Sequence, residues 1–74
     1  MLKVAQIGIG YWGPNLLRNL VTNKYISVKM VADKSKERRT FVNNKYQDIP
    51  VTGNNDLIFK NRDIDAVVIA TPVK

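Results

Sequence analysis

The chain has 74 residues, no cysteine, no histidine and a formal net charge of +6. That is one small domain at most, or part of one. It has no thiol for disulfide or thiolate chemistry, and it lacks the commonest general base and metal ligand. No apolar run approaches the roughly 20 residues that a membrane span needs. Met1-Leu2-Lys3-Val4 enters a strand pattern directly, without basic leader or signal core, so a cytoplasmic location is expected.

Residues 2–7 read as the first strand. Ile7-Gly8-Ile9-Gly10-Tyr11-Trp12-Gly13 follows, with glycines spaced G-x-G-x-x-G. A helix is expected from Gly13 to Thr22. Pro14 suits its first turn, and Leu16, Leu17, Leu20 and Val21 share one face at a 3.6-residue period. Residues 26–32 form a second strand in which Ile26, Val28, Met30 and Ala32 alternate with Ser27 and Lys29. A weaker helix is expected over 35–46, with Phe41, Val42 and Tyr46 inward. Ile49-Pro50-Val51 allows only a short third strand, with the proline at its start or on an edge. Asn54-Asn55-Asp56 is a helix-start cluster, and the short helix after it carries Leu57, Ile58 and Phe59. Ala66-Val67-Val68-Ile69-Ala70 is continuously apolar, as in a parallel strand covered on both faces.

The order is β-α-β-α-β-α-β. Strands alternating with helices imply an α/β domain with a parallel sheet and right-handed crossovers. The expected strand order is 3-2-1-4, a truncated Rossmann-type doubly wound sheet. No internal repeat, linker or low-complexity stretch interrupts it.

A pyrophosphate needs close-range donors, and a helix N-terminus offers free amide hydrogens and the positive end of a dipole. In that reading Gly8 permits the turn out of the strand, Gly10 lets the phosphate approach the backbone, and Gly13 lets the helix pack against the sheet. The amides of Tyr11 and Trp12 are the natural donors, and their rings either wall the cofactor site or cap the core. The bland alternative is a tight strand–helix turn. Asp33 lies twenty positions past Gly13, at the end of the second strand. A carboxylate there accepts from both ribose hydroxyls of the adenosine half and repels the 2′-phosphate of NADP. Its alternative role is to cap the second helix. Lys34 and Arg38 are placed to compensate a 2′-phosphate, so NAD is preferred and NADP stays open. Ala70-Thr71-Pro72 closes the fourth strand at its carboxyl end, where such sheets bind ligands.

Six of the twelve cations fall between Lys24 and Arg39. A solvated helix face explains them most simply, and attraction of an anionic ligand is the sharper reading. Nucleic acid is disfavoured. The chain has no basic recognition helix with caps, no aromatic RNA-binding signature and no zinc-ligand spacing.

Gly8-Ile9-Gly10-Tyr11-Trp12-Gly13-Pro14-Asn15, Asp33, and Asp63-Ile64-Asp65-Ala66-Val67-Val68-Ile69-Ala70-Thr71-Pro72 together resemble the N-terminal part of the glucose–fructose oxidoreductase / inositol dehydrogenase / MocA family. The resemblance covers essentially the whole chain, and its Gly-Tyr-Trp-Gly-Pro-Asn loop looks like members acting on nucleotide-linked sugars. It implies an NAD(P)-dependent enzyme of several hundred residues, passing hydride between the nicotinamide and a sugar hydroxyl carbon. A second α/β domain would hold the sugar and often make the oligomer. The family's Glu-Lys-Pro motif has no counterpart in these residues. The resemblance therefore transfers cofactor contacts and no catalytic residue, and the chain alone is expected to be inactive. A non-catalytic NAD(H)-binding or redox-sensing module is the alternative. A flavoprotein or methyltransferase is a third reading, and the glycine spacing and Thr71-Pro72 argue against the methyltransferase. Strand 66–70 would have a bare apolar edge, which invites self-association.

Overall fold

The computed structural model describes residues 1–10 and 13–70. Its elements run β1 (Leu2–Ile7), α1 (Gly13–Thr22), β2 (Ile26–Ala32), α2 (Lys36–Lys45), β3 (Val51–Thr52), α3 (Asp56–Phe59) and β4 (Ala66–Ile69). The four strands are parallel in the order β3-β2-β1-β4. This is the expected truncated Rossmann-type α/β sheet.

Two apolar clusters hold the layers together. Ile9, Leu17, Val31 and Val42 are buried where α1 and α2 cover one face, with Val28, Tyr46, Ile49 and Val51 packed around them. On the other face, Ala5, Ile7, Ala32 and Ile58 are joined by Met30, Ile64 and Val67. Each fully buried Leu or Ile side chain among these contributes about 1.5–3 kcal/mol.

The helix ends follow local chemistry. Ser35 is the N-cap of α2, its hydroxyl accepting from the Arg38 N–H at 3.3 Å. Tyr46 is the C-cap, donating its N–H to Val42 at 2.7 Å. The expected helix over 35–46 therefore includes its two caps. The third strand lies at Val51–Thr52, one step beyond the expected 49–51. Pro50 stays just outside it and contributes its carbonyl to the Val31 N–H.

The packing departs from the sequence pattern in five places. The register slips between Val4 and Ala5, which face Val28 and Met30, so Lys29 is bulged out of the pairing. A bulge reverses the faces beyond it. Val28 therefore packs with the α1/α2 cluster, while Met30 and Ala32 pack with the opposite one, instead of all lining one face. Phe41 is 40% exposed, because only Val42 of that pair is turned onto the sheet. Of the apolar face expected in α1, only Leu17 is fully buried and Val21 is exposed. In the four-residue α3, Ile58 enters the core while Leu57 and Phe59 stay out, since one helical turn has room for one inward side chain. β4 is not covered on both faces. Ala66, Val67 and Val68 are half-buried and Ile69 is 62% exposed, because β4 is an edge strand in this sheet.

The amino ends of β1 and β4 are clasped at the pole opposite the glycine loop. The Lys3 N–H donates to Asp65 Oδ2 at 3.0 Å, the Asp65 N–H donates to the Lys3 carbonyl at 2.7 Å, and Lys3 Nζ meets Asp63 Oδ1 at 2.8 Å. The hydrogen bond to Asp63, and then its charge, raises the Lys3 ammonium pKa; the same pair lowers that of the Asp63 carboxyl. The Asp63 contribution is complete above the ordinary aspartate value and is lost as pH falls through the depressed one. That of Lys3 is complete below the ordinary lysine value and is lost as pH rises through the raised one. Both groups are solvent-exposed, so the effect is small. Asp63→Asn should lower Tm slightly at neutral pH, and thermal melts of variant and wild type should converge as pH falls through the depressed Asp63 value.

Candidate dinucleotide site

The glycine loop leaves the carboxyl end of β1. Gly8 has φ +87° and Gly10 has φ +49°, both in the region that side-chain-bearing residues avoid. A Cβ on Gly10 would lie 3.5 Å from the Ala70 carbonyl oxygen, so the loop runs close beside the end of β4. A Cβ on Gly13 would lie 3.1 Å from Gln6 Nε2 and 3.2 Å from the Gly8 oxygen, tighter than ordinary contact. Gly13 thus serves close packing of the helix start against β1 and the loop.

The first half of the loop is already hydrogen-bonded. The Gly8 N–H donates to the Ala32 carbonyl at 2.7 Å, continuing the sheet, and the Ile9 N–H donates to Asp33 Oδ2 at 2.7 Å. The Gly10 N–H has no partner among the described residues. Asp33 is held on every side. Its N–H donates to Thr52, its Oδ1 accepts from the Ser35 N–H at 2.8 Å, and its own carbonyl accepts from Arg39 Nη1 at 2.8 Å. Arg39 Nη1 also donates to the Lys34 carbonyl at 2.9 Å. Asp33 is therefore not the cap of α2, a role that Ser35 takes. Each carboxylate oxygen accepts one main-chain hydrogen and keeps further acceptor capacity.

A cavity of about 390 Å³ opens between the loop and the end of β2. Of the residues expected from sequence, it brings together Gly8, Gly10, Asp33, Lys34 and Arg38. Gly13 is buried behind it, and Ala70 touches the loop from β4 without lining it. Tyr11, Trp12, Thr71 and Pro72 lie outside the described residues. The cavity adds Ser35 and Asn55, which sequence reasoning did not single out as site residues. Asn55 is the N-cap of α3 but makes no side-chain capping bond. The helix-start cluster was the available signal, but it pointed to a cap and not to a cavity wall. Gln6 and Arg39 were also missed as supports of the site; Gln6 sits between the apolar residues Ala5 and Ile7 in β1.

The chemistry fits a dinucleotide. The cavity is lined by a backbone without side chains at Gly8 and Gly10, by the carboxylate of Asp33, and by the cations Lys34 and Arg38. Among the described residues no cluster of His, Cys, Asp or Glu could hold a metal, and no helix is long and apolar enough to cross a membrane.

Fold and site together define the nucleotide-binding half of a doubly wound α/β protein, with its ligand cleft at the carboxyl ends of the strands. The chain belongs to the Gfo/Idh/MocA oxidoreductase family, whose model for the NAD-binding Rossmann fold matches residues 2–74. No curated protein matches the chain. Among solved structures, GenD2 from gentamicin A biosynthesis, in complex with NAD, is 25% identical with a TM-score of 0.84 over 96% of this chain and 20% of its own. Scyllo-inositol dehydrogenase from Lactobacillus casei, with bound NAD(H) and scyllo-inositol, is 20% identical with a TM-score of 0.84 over 97% of this chain and 22% of its own. A variant of KijD10, a 3-ketoreductase from Actinomadura kijaniata in complex with TDP-benzene and NADP, is 24% identical with a TM-score of 0.77 over 96% of this chain and 23% of its own. The chain thus spans about a fifth of the length of these proteins.

Proposed function

We propose that residues 1–74 form part of the cofactor-binding domain of an oxidoreductase that moves hydride between NAD and a hydroxyl carbon of a sugar or nucleotide-linked sugar. The substrate domain would lie outside these residues. The observation that carries the reading is the carboxylate of Asp33, fixed at the glycine loop by the Ile9 and Ser35 amides beside an open cavity. Asp33 would take the adenosine ribose hydroxyls, and Gly10, Tyr11 and Trp12 would offer main-chain hydrogens to the pyrophosphate. Gly8 and Gly13 would shape the turn, with Ala70, Thr71 and Pro72 bordering the nicotinamide half. The bound nicotinamide supplies the hydride-carrying carbon. The chain's own part is to bind and orient, and the sugar comes to the reading by analogy with the solved relatives.

Asp33 disfavours a 2′-phosphate, while Lys34 and Arg38 at the same cavity attract one. NAD is therefore expected to bind more tightly than NADP, by a margin that narrows at low salt as the exposed cations are less screened. Side-by-side calorimetric titrations check this. Absence of NAD binding, or a clear preference for NADP, overturns it.

β4 is an edge strand with Ile69 62% exposed. We infer that the isolated chain associates through residues 66–70 by edge pairing. Light scattering across a concentration series should show growth in mass, and a monodisperse monomer at high concentration would refute it.

A further inference from the structure

Gln6 is a polar side chain near the carboxyl end of β1 and is 0% exposed. Its Nε2 donates to the Gly8 carbonyl at 2.9 Å and to the Gly13 carbonyl at 3.2 Å, bridging the two ends of the glycine loop. An apolar residue would fill the same space without touching either carbonyl. Gly13 is part of the same arrangement, since a Cβ there would crowd Nε2 at 3.1 Å.

The bond to Gly8 has a consequence across one peptide unit. In a trans peptide, carbonyl and N–H point in opposite directions, and there is no cis bond among the described residues. Drawing the Gly8 carbonyl inward to Gln6 turns the Ile9 N–H outward, where it meets Asp33 Oδ2 at 2.7 Å. We propose that Gln6 is a positioning residue for the nucleotide site, fixing the Asp33 carboxylate through the Gly8–Ile9 peptide. This rests on Asp33 being the ribose acceptor. The side chain touches no ligand. It acts by setting the plane of one peptide, and hydrogen bonds in such a chain reinforce one another.

The relay is tested in ligand-free protein and in titrations. Gln6→Met keeps similar volume and removes the donor. Amide hydrogen exchange should show the Ile9 N–H protected in the wild type, and about tenfold less so in the variant, the loss expected for roughly one hydrogen bond. Exchange at Val4 and Ala5 on the same strand should be unchanged. Calorimetry should show NAD affinity about tenfold weaker and NADP affinity less affected, so that the preference narrows. A defect confined to stability would weaken both cofactors together. Equal losses for NAD and NADP, or unchanged Ile9 protection in a folded variant, overturn the proposal. If the variant does not fold, the wild type decides, and an Ile9 amide exchanging as fast as an exposed loop amide refutes the relay. Failure of the wild type to bind NAD would instead overturn the proposed function, leaving the exchange result to judge the relay itself.

Discussion

Gly10→Val is expected to abolish NAD binding. Gly10 sits at φ +49°, a conformation that a β-branched residue adopts only under strain. A left-handed backbone costs an ordinary L-residue roughly 1–2 kcal/mol. The Cβ position itself is 3.5 Å from the Ala70 oxygen, an ordinary contact. Gly10→Ala should therefore cost mainly strain and leave weakened binding. The two further methyl groups of valine would crowd the Ala70 carbonyl or fill the part of the cavity beside Gly10 that the pyrophosphate needs. Calorimetry on both variants should give a graded loss from alanine to valine, with no heat above background for valine at millimolar NAD. Near-normal binding by Gly10→Val would place the pyrophosphate elsewhere.

Asp33→Asn should damage the protein twice. The Asp33 carboxylate accepts from two main-chain donors, the N–H groups of Ile9 and Ser35, one on each oxygen. An asparagine offers one oxygen and one NH₂ group, so one of those donors would face another donor. Leaving a buried or part-buried N–H unpaired costs about 1–3 kcal/mol. In a domain of this size each kcal/mol shifts Tm by roughly 4–8 °C. The substitution also removes the charge that opposes a 2′-phosphate. Thermal melts should show the loss of stability, and paired titrations should show NAD falling toward NADP. If Tm drops while the ratio of the two affinities stays constant, Asp33 is a structural turn residue and not the ribose acceptor.

These two residues stood out in the sequence for sound reasons. The glycine spacing after an apolar strand and the acid after the next strand are local patterns, and each element forms largely from its own residues. The supports around them are not local. Arg39 read as one more cation on a charged helix, yet its guanidinium bonds the Asp33 and Lys34 carbonyls. Gln6 read simply as part of the first strand at residues 2–7, yet it joins Gly8 to Gly13. Asn55 read as a cap, yet its side chain makes no capping bond and it lines the cavity.

The sequence by itself determined the alternation of strands and helices, the parallel order 3-2-1-4, the loop at the end of β1 and the approach of Asp33 to it. Periodicity and turn chemistry are properties of neighbouring residues, and the handedness of parallel crossovers leaves few ways to assemble them. Tertiary structure decided which side of the sheet each side chain of β2 serves, because the bulge at Lys29 depends on pairing with β1. It also turned Phe41 outward and sealed Gln6 inside. Those outcomes depend on which surfaces meet after the chain has folded back on itself, and distance along the chain does not encode that.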